Sequence, residues 1–217
     1  MKPKISIIIP VYNSKEYLNR ALNSVPMADD VQLIVLDDGS TDGSWRLALD
    51  WWDKHIKDKW SIIHRWTENH GVAAAMNLGF SLADGEDIGS LSSDDYFREG
   101  FGEIRKYLDG KYDLVYFDLK VNDGSVWHLD ENSKKEFVGA VKFIRKDFLG
   151  DIRVPTNRKY KEDTPFSRAL YAKNPKEVFT GIVLKHYNFP REGSLSWQAQ
   201  QDYNNDRALW AKNSGQE

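Results

Sequence analysis

The sequence has no cysteine among its 217 residues, which excludes disulfide bonds, thiolate metal sites and a cysteine nucleophile. It also lacks an excess of either charge, because 30 lysines and arginines stand against 33 aspartates and glutamates. The net charge of −3 offers no basic field to nucleic acid or to an anionic membrane. We therefore expect no nucleic-acid partner.

Long apolar runs are missing as well. No stretch approaches the ~20 apolar residues that a membrane-spanning helix needs. The opening MKPKISIIIP is basic and then apolar, but its apolar run is too short for a signal peptide. The sequence thus predicts a cytoplasmic protein without a transmembrane segment, which would reach the inner face of a membrane only through a partner.

The first half of the chain alternates strand-like and helix-like segments, and its apolar content suffices for a core, at 41% hydrophobic residues. The predicted strands are Lys4–Pro10, Val31–Leu36, Ser61–Trp66 and Asp87–Leu91, and the predicted helices are Lys15–Val25, Asp42–Ile56 and Gly71–Leu82. This order predicts a parallel sheet with right-handed crossovers.

The second half has no such regular alternation. Its predicted strands are Asp113–Leu119, Ser125–His128 and Val178–Tyr187, and its predicted helices are Lys142–Leu149, Asp163–Ala172 and Leu195–Trp210.

Polar residues follow three strands of the predicted sheet, namely Asn13, Asp38 and Asp94. Ligands of parallel sheets bind beyond the carboxyl ends of the strands, so these side chains should converge at one edge. There, Tyr12 could stack on a flat base and Asp38 could accept hydrogen bonds from it. The competing interpretation of this motif is that Asp38-Gly39-Ser40 is only a turn.

Two further motifs also have a structural and a functional interpretation. Asp94, after a buried strand, could anchor Mg²⁺ or Mn²⁺ if phosphate oxygens complete the shell, or it could simply start a helix. Asp163, before Thr164-Pro165, could be a general base that reaches a hydroxyl within about 3 Å, or only a helix N-cap.

Taken together, the motifs resemble family 2 glycosyltransferases in their order and rough spacing. The segments are Val11-Tyr12-Asn13, DDGSTD from Asp37 to Asp42, NHGVAAAMNLG from Asn69 to Gly79, Ser93-Asp94-Asp95, and Glu162-Asp163. The resemblance implies an α/β fold of the GT-A type, a single compact domain with a Rossmann-like, mostly parallel sheet flanked by helices. Residues 1–97 would be the donor-binding half, residues 98–196 the acceptor-binding half, and residues 197–217 a C-terminal helix and tail.

The activity that the resemblance implies is transfer of a sugar, with inversion, from a nucleotide diphosphate sugar to an acceptor hydroxyl. UDP-hexose or UDP-N-acetylhexosamine is the donor we expect, and the acceptor is not readable from the sequence. The implied donor-binding residues are Pro10, Val11, Tyr12, Asn13, Asp38, Asn69, Gly71, Asn77, Ser93, Asp94, Arg191 and Ser194.

The remaining implied roles concern the metal, the base and the acceptor. Asp94 would bind Mn²⁺ or Mg²⁺, with Asp95 as a second ligand. Asp163 would deprotonate the acceptor. We also expect Glu162, and Trp197 on the predicted C-terminal helix, to contact the acceptor.

Two positions depart from the family's pattern. Ser92 replaces the first aspartate of the DxD motif, and Met76 stands where arginine is common. These departures leave open a degenerate module that binds a sugar nucleotide and serves assembly with a partner. A nucleotidyltransferase is the other alternative, but it should carry a glycine-rich basic loop where this chain has Val11-Tyr12-Asn13-Ser14.

Overall fold

The structure, a computed structural model, describes residues 3–56, 60–133, 141–157, 163–194 and 196–202. The chain divides into a large unit, Met1–Tyr187, and a small unit, Asn188–Glu217. Among the described residues, no helix is long and apolar enough to cross a membrane.

The first half forms four strands and three helices, as predicted. The strands are β1 (Ile5–Val11), β2 (Val31–Asp38), β3 (Ile62–Trp66) and β4 (Asp87–Ser90), and the helices are α1 (Lys15–Ser24), α2 (Ser44–His55) and α3 (Val72–Leu82). The strands pair in parallel in the order β3-β2-β1-β4. β1 and β2 are rich in β-branched residues and lie in the core, which is typical of a parallel sheet covered on both faces.

Helix α3 packs closely on this sheet because its residues are small. A Cβ atom added at Gly79 would lie 2.6 Å from the side chain of Ile8 on β1, so only glycine permits this approach. This small, apolar helix therefore lies unusually close to the sheet.

The chain after β4 adds strands that extend the same sheet. They are β5 (Tyr96–Phe97), β6 (Leu114–Val121), β7 (Val126–Trp127), β8 (Lys142–Arg145) and β9 (Glu177–Tyr187). The helices are α4 (Phe101–Ile104), α5 (Lys146–Leu149) and α6 (Asp163–Tyr171). β6 and β9 are parallel, whereas β8 is antiparallel to both β4 and β6, so the complete sheet is mixed.

The prediction of one helix over Lys142–Leu149 is wrong for its first half. Residues Lys142–Arg145 form β8, and only Lys146–Leu149 is helical. Ile144 pairs with Ile88 on one side and with Leu114 on the other, so this short segment bridges two strands. Hydrogen bonding to two distant strands outweighs the local helical preference.

The direction of β8 determines what lies at the edge where β1, β2 and β4 end. Because β8 is antiparallel to β4, its first residue, Lys142, lies at this edge. β6 and β9 run in the direction of β4, so they end at the same edge. We call the residues at this edge the rim.

In the small unit, residues 196–202 are helical, in agreement with the start of the helix predicted over Leu195–Trp210. Leu195 and residues 203–217 lie outside the described residues. The Ser194 hydroxyl accepts a hydrogen bond from the Trp197 backbone N–H at 3.1 Å, which is the geometry of an N-cap.

Candidate active site

Asp38, the last residue of β2, fixes the loop before α3. Its side chain is almost fully buried, with the residue 3% exposed. One carboxylate oxygen accepts a hydrogen bond from the His70 backbone N–H at 2.7 Å, and the other accepts one from Gly71 at 2.8 Å. The structure thus gives Asp38 a main-chain anchoring role that the sequence alone did not indicate. Its contact with a nucleotide stays a prediction.

Gly39 makes this arrangement possible. A Cβ atom at this position would lie 2.8 Å from the backbone carbon of Glu68, and the residue has φ +77°. Only glycine combines this left-handed conformation with so close an approach of the neighbouring loop. Asn69, in that loop, is exposed.

Asn13 joins the end of β1 to the loop after β2. Its backbone N–H donates to the Ser40 hydroxyl at 3.0 Å, and its side-chain oxygen accepts a hydrogen bond from the Thr41 N–H at 2.8 Å. Its φ of +47° is a conformation that asparagine tolerates better than most residues. Asn13 therefore holds two rim loops together, with its predicted donor contact untested.

Tyr12 is an exposed aromatic side chain at the rim. The residue is 50% exposed, whereas its neighbour Val11 is buried and Pro10 is half-buried. An exposed ring between two anchored positions is a surface on which a flat base can stack. Among the residues predicted to contact the nucleotide base, Tyr12 has the most accessible side chain. Val11 instead packs in the core.

Ser93, in the segment after β4, is tied to the segment after β1. The Ser14 hydroxyl donates to the Tyr12 carbonyl at 3.0 Å and lies 2.6 Å from the Ser93 hydroxyl. Because the proton of Ser14 is used for the carbonyl, Ser93 is the donor to Ser14. Ser93 is buried, so this bond aligns the two segments.

Asp94 and Asp95 follow Ser93 but differ in their surroundings. Asp94 is half-buried, and its backbone carbonyl accepts a hydrogen bond from Arg20 at 3.3 Å. Asp95 is 1% exposed and forms an ion pair with Lys185 of β9, at 2.9 Å between Nζ and Oδ2. Lys185 is 3% exposed, so the pair is fully buried. Sequence reasoning missed Lys185, because no motif marks it.

The residues present fit a metal ion only in part. Over the described ranges, no cluster of three or more histidine, aspartate or glutamate side chains could hold an ion by itself. Asp94 contributes one half-buried carboxylate, whereas the Asp95 carboxylate is ion-paired with Lys185. Mg²⁺ and Mn²⁺ accept such a site when phosphate and water fill the shell.

Asn77, on α3, clamps the segment before the predicted base. Its side-chain N–H donates to the Val154 carbonyl at 2.8 Å, and its oxygen accepts the Val154 N–H at 2.8 Å. Both hydrogen-bonding ends of the carboxamide are thus used on one backbone residue. The direct contact predicted between Asn77 and the donor stays untested.

Asp163 begins α6, as predicted, and lies beside a lysine that sequence reasoning did not single out. Burial raises the pKa of the Asp163 carboxyl, and the positive charge of Lys142 acts in the opposite direction. Lys142 is 4% exposed, and burial lowers its pKa to about 8. Glu162, the predicted acceptor contact before Asp163, lies outside the described residues.

A hydrogen-bonded group of side chains adjoins Lys142. The Tyr116 hydroxyl donates to Glu177 at 3.0 Å and lies 3.2 Å from the Tyr171 hydroxyl. The Lys142 ammonium lies 5.7 Å from the centre of the Tyr116 ring. Burial raises the pKa of Tyr116, so this phenol stays neutral and keeps its proton to donate.

Two histidines near the rim have partners that short-range spacing could not reveal. His128 Nδ1 lies 2.6 Å from the buried Asp118 carboxylate on β6. His186 Nε2 lies 2.9 Å from the side-chain oxygen of Asn122, which can only accept, so this nitrogen carries the proton. The structure therefore gives His186 Nε2 a hydrogen-bonding role.

Three predicted site residues lie in the small unit. Ser194 caps the helix over residues 196–202, and Trp197 lies in its first turn. The Ser194 backbone N–H donates to the Arg191 carbonyl at 3.2 Å, which closes a turn before the helix. Their predicted contacts with the diphosphate and the acceptor stay predictions.

Comparison with known families matches residues 6–168 to the model of Glycosyl transferase family 2. An "Uncharacterized glycosyltransferase" of Haemophilus influenzae is 42% identical over 89% of this chain and 81% of its own length. The Bacillus subtilis "Minor teichoic acid biosynthesis protein GgaB" is 26% identical over 89% of this chain. This chain covers only 24% of the length of GgaB.

Solved structures with the same fold bear out the predicted GT-A architecture. S. aureus TarS in complex with UDP-GlcNAc superposes with a TM-score of 0.76, at 22% identity, over 89% of this chain and 60% of that one. The mannosyltransferase PcManGT of Pyrobaculum calidifontis, in complex with GDP-Man and Mn²⁺, gives 0.69 at 18% identity, over 93% and 61% of the two chains.

Proposed function

The chain belongs to glycosyltransferase family 2, and from that premise we propose that it transfers a sugar, with inversion, from a UDP-sugar to an acceptor hydroxyl. The predicted family and fold are confirmed. The observation that carries the proposal is the rim. Tyr12, Asp38 and Asp94 lie at or just beyond the ends of three neighbouring parallel strands, and Asp163 feels the charge of Lys142 at the start of the next strand.

The choice of a UDP-sugar rests on the rim and on one relative of the same fold. TarS has been solved with UDP and with UDP-GlcNAc. In this chain, the exposed Tyr12 ring can stack on a base, and the Asp38-anchored loop forms the adjacent wall. The hexose or N-acetylhexosamine carried by the UDP belongs to this proposal as well.

The chemical step needs one base and one leaving group. The Asp163 carboxylate takes the proton of the acceptor hydroxyl while its oxygen forms a bond to the anomeric carbon from the face opposite the diphosphate. The bond from that carbon to the diphosphate oxygen breaks, and its electron pair leaves with the UDP. No covalent intermediate on the enzyme is required, so the configuration inverts.

Asp94 is the residue that would hold a divalent ion together with the diphosphate. When bound, such an ion neutralises the charge that develops on the leaving group. Ser93 aligns the Asp94 segment with β1, and the ion pair of Asp95 with Lys185 fixes its other side. These contacts hold the segment that carries Asp94, and a segment ordered before its ligand binds avoids an ordering cost.

Thermal unfolding with UDP, GDP, TDP and CDP, each with and without Mn²⁺, tests the proposal. A ligand at ~100 times its dissociation constant stabilises the folded protein by about 2.7 kcal/mol, which is readily visible. We expect a Mn²⁺-dependent response to UDP that is lost in Asp94→Ala and kept in Asp29→Asn, an exposed aspartate away from the rim.

Release of UDP from a UDP-sugar decides whether the protein is an active enzyme. We expect slow hydrolysis by the wild type, because water can replace the missing acceptor, and its loss in Asp163→Asn. Nucleotide binding without any release of UDP, across a panel of UDP-sugars and hydroxyl acceptors, would instead favour the degenerate binding module.

A further inference from the structure

We propose that Lys142 is a positioning residue for Asp163, whose buried ammonium group keeps the neighbouring carboxylate ionised and therefore able to accept a proton. This inference rests on the proposed role of Asp163 as the base. It concerns a residue that lies outside every motif of the sequence and that only the strand pairing brings to the rim.

The location of Lys142 is the first observation. It is the first residue of β8, it is 4% exposed, and its ammonium group donates to the Ser167 hydroxyl at 3.4 Å. Ser167 follows Asp163 by one helical turn on α6, so both residues lie on the same face of that helix. Lys142 therefore approaches α6 from the sheet, on the side that carries Asp163.

The cost of burial is the second observation. An ammonium group removed from water costs several kcal/mol unless opposite charge and hydrogen bonds compensate it. An apolar side chain would fill this strand position without that cost. The carboxylates that act on Lys142 are Asp163 of α6 and Glu177 of β9, and both favour its charged form.

The neighbouring groups explain why Asp163 depends on this lysine. Glu177 already accepts a hydrogen bond from Tyr116 of β6, and the Tyr116 hydroxyl also lies beside Tyr171 of α6. Within the described part of the chain, Lys142 is the cation whose charge acts on Asp163. Lys142 and Asp163 are thus a coupled pair.

The direction of the coupling follows from the charges. Burial raises the pKa of Asp163, and the Lys142 ammonium lowers it again. Without this cation the pKa of Asp163 rises further, so the base becomes protonated at a higher pH. By the same coupling, removal of the Asp163 charge should lower the pKa of Lys142 below its value of about 8.

The decisive experiment is an NMR titration of the aspartate side-chain carboxyl carbons, with Asp163→Asn used to assign the Asp163 signal. Lys142→Gln removes the charge but keeps a donor for Ser167, and Lys142→Arg keeps the charge. We expect the Asp163 midpoint to move to higher pH in Lys142→Gln and to stay near the wild-type value in Lys142→Arg. Lys146→Met, which removes a half-buried lysine from the same segment, should leave it unchanged.

A second titration needs no change at Lys142. The side-chain signal of Lys142, followed in the wild type and in Asp163→Asn, should show a lower midpoint in the variant. This measurement decides the matter if Lys142→Gln does not fold. Equal Asp163 midpoints in wild type and folded Lys142→Gln, or equal Lys142 midpoints in wild type and Asp163→Asn, would overturn the proposal.

A separate measurement, the pH profile of kcat/KM for UDP-sugar turnover, tests the catalytic consequence. The acid limb should move to higher pH in Lys142→Gln by the same amount as the Asp163 midpoint. If turnover in Asp163→Asn equals that of the wild type, the base assignment fails. The titrations report the coupling itself, so the two failures are distinguishable.

Discussion

The rim carboxylates of the first half and of the second half are stabilised in different ways. Asp38 receives two backbone N–H donors from the loop before α3. Asp163 instead depends on the side-chain charge of Lys142, whose own protonation changes at a pH of about 8. The first arrangement uses main-chain N–H groups, which carry no net charge, whereas the second uses a side chain that can lose its charge. The contrast matches the proposed roles. The loop anchored by Asp38 must keep one conformation to bind the nucleotide, whereas the base Asp163 needs a suitable proton affinity.

The largest expected effect on activity comes from removal of the proposed base, Asp163. Asp163→Asn should lower the rate of UDP-sugar turnover by about 10²- to 10⁴-fold, the usual contribution of a general base. The measurement is initial-rate release of UDP at saturating donor. Asp151→Asn, an exposed aspartate of the same half, should retain the wild-type rate. A rate in Asp163→Asn within a factor of two of the wild type would contradict the assignment.

The buried ion pair behind Asp94 should have the largest effect on stability. Lys185→Met removes the cation that pairs with the buried Asp95 carboxylate, which costs about 3–5 kcal/mol of unfolding free energy. Urea denaturation measures this loss. The double variant Asp95→Asn/Lys185→Met removes both charges and should recover part of it. The single variant Asp95→Asn completes the comparison. If the loss of unfolding free energy in the double variant equals the sum of the losses in the two single variants, the two residues do not interact.

Removal of the main-chain anchor tests the first half directly. Asp38→Ala deprives the backbone N–H groups of His70 and Gly71 of their acceptor, and a hydrogen bond to a charged group contributes about 1.5–3 kcal/mol. We expect a loss in this range and weaker binding of UDP. Urea denaturation and isothermal titration of UDP measure the two effects.

The smallest expected effect concerns the stacking surface. Tyr12→Ala should weaken UDP binding by about 3- to 10-fold, because an aromatic stacking contact contributes about 0.5–1.5 kcal/mol. Tyr12→Phe keeps the ring and should bind like the wild type. Isothermal titration of UDP separates the two variants. Equal affinities for Tyr12→Ala and the wild type would remove Tyr12 from the donor site.

Much of this protein is determined by local sequence. The β-branched runs of β1 and β2, the polar residues after them and the amphipathic helices specify the parallel first half, because each pattern lies within a few consecutive residues. The ordered motifs identify the family without any structure, and the match over residues 6–168 agrees with them. Asp163 at the start of α6 is likewise readable from the sequence.

The tertiary structure decided the electrostatics of the rim. Local sequence favours a helix at Lys142–Leu149, and only pairing with β4 and β6 makes Lys142 part of a strand that faces α6. In the same way, β9 delivers Lys185 to Asp95. Burial and charge at a carboxylate depend on residues distant in sequence, and no local periodicity records which of them become neighbours. The sequence therefore determined which groups could do the chemistry, and the fold decided which cations control them.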